Sequence, residues 1–117
     1  MIYIGNDIVE VERIKQSILK YNDKFINKVF TPKEIDFCNK RTNPFIHFAG
    51  RFAGKEAVKK ILLQINKNPI PLKNIEIQRN EDSPPQVFIN NKHENGLQVS
   101  ISHTENYATA VAILEKK

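Results

Sequence analysis

Two carboxylates that are far apart in the sequence, Asp7 and Glu56, are the side chains best suited to bind a metal ion. Asp7 ends a short apolar segment, and Glu56 lies within a long helical pattern. Two carboxylates with open coordination positions are typical of Mg²⁺ sites, where waters and substrate phosphates complete the coordination shell. Each residue also has an ordinary explanation: Asp7 could cap a helix that begins near Val9, and Glu56 could pair with Lys60 one helical turn later.

A third candidate is His103, in the segment SISHT at residues 100–104. It follows an apparent strand and precedes a turn, where functional side chains are common, although a single histidine there more often has a structural role. The other two histidines are His47, near the start of the long helical pattern, and His93, in a polar loop. Neither has a partner that the sequence identifies, and we assign them no function.

The helical pattern around Glu56 mixes charged and aromatic side chains. At 100° per residue, small residues occupy one face and cations lie between phenylalanines on the other. The small face consists of Gly50, Ala53, Gly54, Ala57 and Ile61, and the cations are Arg51, Lys55, Lys59 and Lys60. A surface helix would separate charges from aromatic rings, so we expect some of these charges to lie near a partly buried wall. The small face permits close approach of a neighbouring backbone.

Apolar spacing predicts one N-terminal strand, then helices, then a run of strands. The first strand covers residues 2–9 and leads into a turn. One helix begins at Glu10, a second covers residues 24–30, a third begins at Thr31 and a fourth covers residues 44–65. Thr31-Pro32-Lys33-Glu34 is a complete capping box with proline in the first turn. Later strands are expected at residues 75–79, 86–89, 97–101 and 107–114. This order predicts an α+β fold with an antiparallel or mixed sheet.

The length of 117 residues is that of one domain, and we expect residues 1–117 to form a single domain. No apolar run approaches the roughly 20 residues that cross a bilayer, and the N-terminus lacks the pattern of a secretory signal. Cys38 is the single cysteine, which excludes an internal disulfide and a cysteine-built zinc site. We therefore expect a cytoplasmic protein with no membrane partner.

The net charge of +5, from 18 basic and 13 acidic residues, favours anionic partners such as nucleic acid, acidic proteins or phosphorylated small molecules. Abundant Lys, Asn and Ile, which have AT-rich codons, offer a compositional explanation. A nucleic-acid-binding module is the alternative class, but the chain has no Trp and no helix-turn-helix or zinc-finger spacing. We expect no nucleic-acid partner.

Three segments taken together are specific. Residues 4–14 (IGNDIVEVERI), 51–60 (RFAGKEAVKK) and 100–103 (SISH) resemble the signature of the holo-[acyl-carrier-protein] synthases, the small bacterial 4′-phosphopantetheinyl transferases. That family has the patterns GxDIxxxxRI, RFxxKEAxxK and SISH, and Phe30, Thr31 and Glu34 match an FTxxE element between the first two. The resemblance covers nearly the whole chain, in the same order and at a matching length.

The resemblance implies a 4′-phosphopantetheinyl transferase-like fold and a definite reaction. The family transfers 4′-phosphopantetheine from coenzyme A to a serine of apo acyl carrier protein, releasing 3′,5′-ADP, in a Mg²⁺-dependent step that supports fatty acid biosynthesis. Asp7 and Glu56 match its metal ligands, and Lys60 matches a lysine that contacts phosphate. His103 falls at the family histidine near the coenzyme. The catalytic set that the resemblance implies is therefore Asp7, Glu56, Lys60 and His103, and the coenzyme-binding set is Arg51, Lys60, Pro85, Ser102 and His103.

The resemblance also implies partners. Family active sites lie between the subunits of a homotrimer, and the helix that contains Arg13 meets the acidic carrier. Residues 12–41 hold eight cations and four acids, a surplus that would speed the encounter with such a carrier. The group that takes the serine proton stays open among Glu56, a metal-bound water and His103. A related fold that only holds the carrier without catalysis is a further alternative, against which the intact Asp7, Glu56 and Lys60 argue.

Overall fold

The computed structural model describes residues 1–66, 68–79 and 82–116, with the side chain of Asn66 excepted. Helices follow the first strand, and five further strands follow the helices. The first half contains β1 (Ile2–Glu10), α1 (Val11–Tyr21), α2 (Asp23–Val29), α3 (Pro32–Asn39) and α4 (Pro44–Asn66). A 3₁₀ turn at Leu72–Asn74 then precedes β2 (Ile75–Gln78), β3 (Gln86–Ile89), β4 (Lys92–His93), β5 (Leu97–His103) and β6 (Tyr107–Glu115). The predicted α+β class is confirmed.

The main sheet has the strand order β1-β6-β5, with all pairs antiparallel. Along β6, alternate residues are buried and exposed, as expected for a strand with one covered face. The covered face packs against α4, which contacts all three strands. The register places Asp7 of β1 opposite Ala110 of β6, and His103 of β5 opposite Ala108.

The small-residue face of α4 packs within the chain. Ala53 and Ala57 are fully buried against the sheets. At Gly5 of β1, a Cβ atom would lie 2.1 Å from the carbonyl oxygen of Ala57, so only glycine allows the strand to approach this closely. The close backbone approach that the sequence predicts therefore joins α4 to its own sheet.

A second antiparallel sheet has the order β2-β3-β4. The sequence pattern predicts neither β4 nor the hairpin that leads into it. Asn90 and Asn91 form the turn with φ of 51° and 68°, the left-handed region that asparagine tolerates better than most residues. The hairpin thus depends on two asparagines in a sequence where asparagine is common.

The capping box of α3 is confirmed, and its glutamate has further contacts. The Thr31 hydroxyl accepts from the Glu34 N–H at 3.3 Å, and the Glu34 carboxylate accepts from the Thr31 N–H at 2.9 Å. The same carboxylate accepts from the N–H of Ile77 in β2 at 2.9 Å and forms an ion pair with Lys55 of α4. Both side chains of this ion pair are fully buried. Glu34 therefore joins α3, α4 and β2.

The largest difference from the sequence prediction concerns the end of β1. The strand continues through Asp7 to Glu10, and α1 begins at Val11 without a side-chain cap. The interpretation of Asp7 as a helix cap is therefore wrong. Residues 7–10 pair with β6 instead, a long-range contact that no local pattern reveals. None of the helices in the described residues is long and apolar enough to cross a membrane.

Candidate functional site

Asp7 and Glu56 line one cavity of about 270 Å³. β1 contributes Asp7, α4 contributes Glu56, and α1 contributes Arg13 and Ser17. The remaining wall is largely apolar and consists of Ile8, Val9, Ile14, Phe25 and Phe52. The two carboxylates, 49 positions apart in sequence, are therefore brought to the same cavity by the packing of α4 on β1.

Lys60 lies beside this cavity and contacts β1. Its ammonium group donates a hydrogen bond to the carbonyl oxygen of Asn6 at 2.7 Å and lies 3.4 Å from Oδ1 of Asp7. The alternative interpretation, in which Lys60 pairs with Glu56 along the helix, is wrong, because Lys60 pairs with Asp7 instead. The Lys60 side chain is 49% exposed, and ion pairs at that exposure contribute about 0–1 kcal/mol. This pair therefore adds little to stability.

The donors at this cavity fit a hard divalent cation. Carboxylate oxygens are the ligands that Mg²⁺ prefers, and Mg²⁺ typically takes only one or two of them from a protein. Across residues 1–66, 68–79 and 82–116, no cluster of three or more His, Cys, Asp or Glu side chains could hold a metal ion. A cation at Asp7 and Glu56 would therefore keep open positions for substrate oxygens.

A second cavity, of about 390 Å³, contains most of the residues that the sequence assigned to the coenzyme. Arg51, Pro85 and His103 all line it, together with His47 and Arg79. Ser102 does not line this cavity; it is exposed and alternates along β5 with Ile101 and His103, so it lies on the other face of the sheet. Lys60 lies at the first cavity.

Arg51 is the least satisfied polar side chain of this second cavity. It is 4% exposed, its guanidinium stacks over the Phe37 ring at 4.4 Å, and Nε and Nη2 have no hydrogen-bond partner in the part of the chain that is described. Burial lowers the pKa of Arg51 from its ordinary value. Buried polar groups are almost always paired, so a guanidinium with two unpartnered nitrogens at a cavity wall indicates a site for an anionic oxygen.

His47 is the residue of this cavity that the sequence analysis missed. Its ring meets that of His103 edge to face, with centroids 5.6 Å apart. Burial, followed by the charges of His103 and three arginines, lowers the pKa of His47 from 6.5. A sequence signal was present, because His47 precedes Arg51 by one helical turn and therefore shares its face of α4.

The two cavities lie on different sides of α4. Glu56 follows Arg51 by five residues, a rotation of about 140° around the helix axis. Asp7, Glu56 and Lys60 thus gather at one side, whereas Arg51 and His103 gather at another. A single chain therefore brings the two predicted metal ligands to one cavity and three of the predicted coenzyme residues, Arg51, Pro85 and His103, to the other. It does not bring the two groups together.

The surface of the basic region between Glu12 and Arg41 has a larger positive surplus than the sequence count indicates. Glu34, one of its four acids, is fully buried with Lys55 and does not offset the surface cations. The surface of this region therefore carries eight cations against three acids. Arg13 is exposed within it and lines the Asp7–Glu56 cavity, so the basic surface adjoins the candidate metal site.

Cys38, by contrast, is not a candidate nucleophile. It is fully buried between α3 and its neighbours in the apolar core. Burial raises the pKa of its thiol to about 12. The thiolate form that would react is therefore scarce at neutral pH.

Comparison with known proteins gives one consistent family. A family model described as the 4′-phosphopantetheinyl transferase superfamily matches residues 3–112. A holo-[acyl-carrier-protein] synthase of Thermodesulfovibrio yellowstonii is 46% identical over 111 residues, which cover 95% of this chain and 96% of that protein. A holo-[acyl-carrier-protein] synthase of Chlamydia felis is 43% identical over 121 residues, which cover 97% and 96% of the two chains.

Solved structures agree with the sequence relatives. The holo-[acyl-carrier-protein] synthase of Helicobacter pylori, solved in complex with coenzyme A, has a TM-score of 0.79 and 30% identity, covering 97% of this chain and 100% of that chain. The synthase of Neisseria meningitidis has a TM-score of 0.80 and 27% identity, covering 99% and 100%. The similarity therefore extends over both cavities and all of the described elements.

Proposed function

Since the chain belongs to the 4′-phosphopantetheinyl transferase superfamily and is an enzyme of the holo-[acyl-carrier-protein] synthase family, we propose that it transfers the 4′-phosphopantetheine group of coenzyme A to a serine of apo acyl carrier protein. The serine oxygen forms a bond to the phosphorus that carries pantetheine. The bond from that phosphorus to the bridging oxygen breaks, and 3′,5′-ADP leaves. The observation that carries the proposal is the cavity lined by Asp7 and Glu56, with Lys60 in contact with Asp7 beside it.

In this proposal Mg²⁺ is held by Asp7 and Glu56. When bound, the ion offsets the negative charge of the coenzyme diphosphate and of the transition state. Lys60 supplies a second positive charge at a defined position, because its ammonium group is already held by Asp7 and the Asn6 carbonyl. The chain therefore contributes mainly orientation and electrostatic stabilisation, which is what phosphoryl transfer requires of a protein.

We propose that Glu56 accepts the proton of the carrier's serine hydroxyl. Its carboxylate lines the cavity that opens beside Arg13, the residue we place next to the docked carrier. His103 lies at the other cavity and would reach this position only from a neighbouring subunit. We place Arg51, Pro85 and His103 around the nucleotide end of the coenzyme, where the two unpartnered nitrogens of Arg51 suit a phosphate.

The separation of the two cavities supports a homotrimer with shared sites. In a cyclic assembly, the Asp7 side of one subunit would meet the Arg51 side of the next, giving equivalent active sites. The uncovered face of the main sheet is the candidate contact, because Ile4, Ile8, Val111 and Ile113 are 60%, 65%, 44% and 41% exposed there. The register sets Ile4 directly beside Ile113, so these side chains form one apolar patch of the kind that usually marks an interface.

The carrier partner is proposed to dock on the basic surface of α1 to α3, next to Arg13. Acidic carriers would be steered there by the surplus of cations. A cytoplasmic role in fatty acid biosynthesis is part of the same proposal, and so is the organisation of residues 1–117 as a single domain.

Mass spectrometry of the carrier tests the proposal. With coenzyme A and Mg²⁺, apo acyl carrier protein should gain the mass of one phosphopantetheine, and 3′,5′-ADP should appear in equal amount. Glu56→Gln should abolish the gain while leaving the thermal unfolding temperature unchanged. Glu94→Gln, a carboxylate that lines neither cavity, is the matched control. Failure of the wild-type protein with several apo carriers would refute the assigned reaction.

A further inference from the structure

His47 and His103 form a pair of imidazoles at the wall of the cavity that contains Arg51. The two rings are 5.6 Å apart between centroids and meet at 71°. On its other side His47 packs edge to face against Phe37, at 6.1 Å. His47 is therefore held in one orientation, half-buried, with its partner imidazole and the Arg51 guanidinium around the same cavity.

The charged groups that act on His47 come from several elements. Arg51 lies one turn further along α4, Arg41 follows α3, Arg79 follows β2, and His103 ends β5. Burial and these neighbours hold the pKa of His47 below 6.5, so its imidazole is neutral in the free protein near pH 7. Asp36 lies nearby, at the adjoining cavity that also contains Arg51, and is paired with Lys40 at 3.0 Å.

An entering phosphate would reverse this balance. Its negative charge would offset the arginines and favour the protonated form of any imidazole beside it. A protonated His47 would then offer an additional charged N–H donor beside the two nitrogens of Arg51 that have no partner in the described residues. The cavity therefore has the components to couple anion binding to proton uptake.

We propose that His47 is a further residue of the coenzyme-binding cavity, which takes up a proton when a phosphate group of the coenzyme enters beside Arg51 and His103. This proposal rests on the function proposed above. It makes His47 a specificity residue that strengthens binding of phosphorylated nucleotides as the pH falls.

Nuclear magnetic resonance of the imidazoles is a direct test, because the chain has only three histidines. His47→Phe and His93→Gln assign the signals, which are then titrated with and without coenzyme A. We expect the His47 signal to titrate below its ordinary pH range in the free protein and at clearly higher pH in the complex. His93 of β4, which stacks on Phe88 of β3 and does not line the cavity, is the internal control. An unchanged His47 titration in the complex would overturn the proposal.

Calorimetry gives an independent readout. His47→Phe keeps a ring against Phe37 and His103 but has no proton to gain, and His47→Gln is a second variant in case the first perturbs the fold. Between the pKa of His47 in the free protein and its higher pKa in the complex, binding takes up a proton, so wild-type affinity for coenzyme A falls by at most about tenfold for each unit of rising pH. Both variants should lose that component of the pH dependence, and His93→Gln should keep it. Equal pH dependence in all four proteins would contradict the proposal.

Dephospho-coenzyme A, which lacks the 3′-phosphate, identifies the phosphate involved. Loss of the His47 response with this ligand would assign it to the 3′-phosphate, and its retention would assign it to the diphosphate. Either result supports proton uptake by His47. If coenzyme A binds normally but His47 does not respond, only this inference fails, whereas absence of any coenzyme A binding would refute the proposed function as well.

Discussion

The Arg51 guanidinium is 4% exposed, and two of its nitrogen atoms have no hydrogen-bond partner among the described residues. A buried polar group without a partner costs about 1–3 kcal/mol of folding free energy. The contact with the Phe37 ring offsets part of that cost, because a cation over an aromatic ring contributes about 0.5–2 kcal/mol. The side chain is thus poorly satisfied in the free protein and well placed for an anion, which is common at functional sites.

Arg51→Met should therefore separate stability from binding. We expect the free variant to unfold at the same temperature as the wild type or at a higher one, because the unpaired N–H groups are removed. Affinity for coenzyme A should fall about 10- to 100-fold, since hydrogen bonds to charged groups contribute about 1.5–3 kcal/mol. Thermal unfolding and titration calorimetry measure the two effects.

Lys92→Met is the control, because Lys92 is exposed on β4 and lines neither cavity. It should leave coenzyme A affinity unchanged. Wild-type coenzyme A affinity in Arg51→Met would show that the nucleotide binds elsewhere.

At the residue scale, the sequence predicted what its motifs contain and missed what only packing creates. Asp7, Glu56 and His103 were identifiable because each lies in a short pattern with a chemical meaning. The partner of Lys60 was misassigned, because the nearest acid along the helix is Glu56 whereas the contact in space is Asp7. His47 was overlooked since its neighbour His103 lies on a strand 56 positions later.

At the scale of elements, the Glu34–Lys55 ion pair fixes how α3, α4 and β2 fit together. Its carboxylate contacts all three, and both side chains are fully buried. Burial lowers the pKa of Lys55, while Glu34 acts in the opposite direction and favours the charged form. The sequence predicted only the capping role of Glu34, because its other partners come from residues 21 and 43 positions away.

Lys55→Met should lower the free energy of unfolding by about 3–5 kcal/mol, because it leaves a buried carboxylate without its cation. Combining Lys55→Met with Glu34→Gln should cost less than the single change, since the charge is then removed as well. Lys59→Met, at a half-exposed neighbouring position, should stay within about 0.5 kcal/mol of the wild type. Urea unfolding of these proteins and of Glu34→Gln alone measures the differences. A double variant as unstable as the sum of its two single changes would contradict the buried pair as the cause.

The basic surface of α1 to α3 is the element-scale feature that we assign to the carrier. Arg13→Glu reverses one charge at the rim of the Asp7–Glu56 cavity. We expect the KM for apo acyl carrier protein to rise about tenfold or more, mainly at low ionic strength, while coenzyme A affinity stays unchanged. Lys92→Glu, an exposed charge reversal on β4 of the second sheet, is the control. Equal losses for both substrates would show that Arg13 does not define the docking surface.

For the molecule as a whole, the sequence predicted the order of elements and the α+β class, because helix caps and alternating strands are local signals. It did not predict that the strands divide into two antiparallel sheets, because β4 is two residues long and its hairpin depends on left-handed asparagines. It also did not predict the uncovered apolar face, since Ile4 and Ile113 become neighbours only through the β1–β6 register. That face and the separation of the two cavities together motivate an assembly in which subunits complete one another.

Mixing inactive variants tests this shared-site assembly. Glu56→Gln should inactivate the proposed metal side of the site, and Arg51→Met should weaken the proposed nucleotide side. In mixed trimers, some sites lie between one subunit of each variant. Where the Arg51→Met subunit supplies Glu56 and the Glu56→Gln subunit supplies Arg51, the site contains no substitution. Random assembly of equal amounts should restore about a quarter of the sites, measured as transfer at a coenzyme A concentration too low for Arg51→Met alone.

The matched control mixes Glu56→Gln with Lys60→Gln. Both residues belong to the same side of the site, so every mixed interface keeps one defect and activity should not return. Recovery in the first mixture but not in the second requires that adjoining subunits each contribute one cavity. If neither mixture recovers although co-expression yields mixed trimers, each subunit must assemble its site alone, and α4 would have to rearrange to bring Arg51 and Glu56 to one ligand.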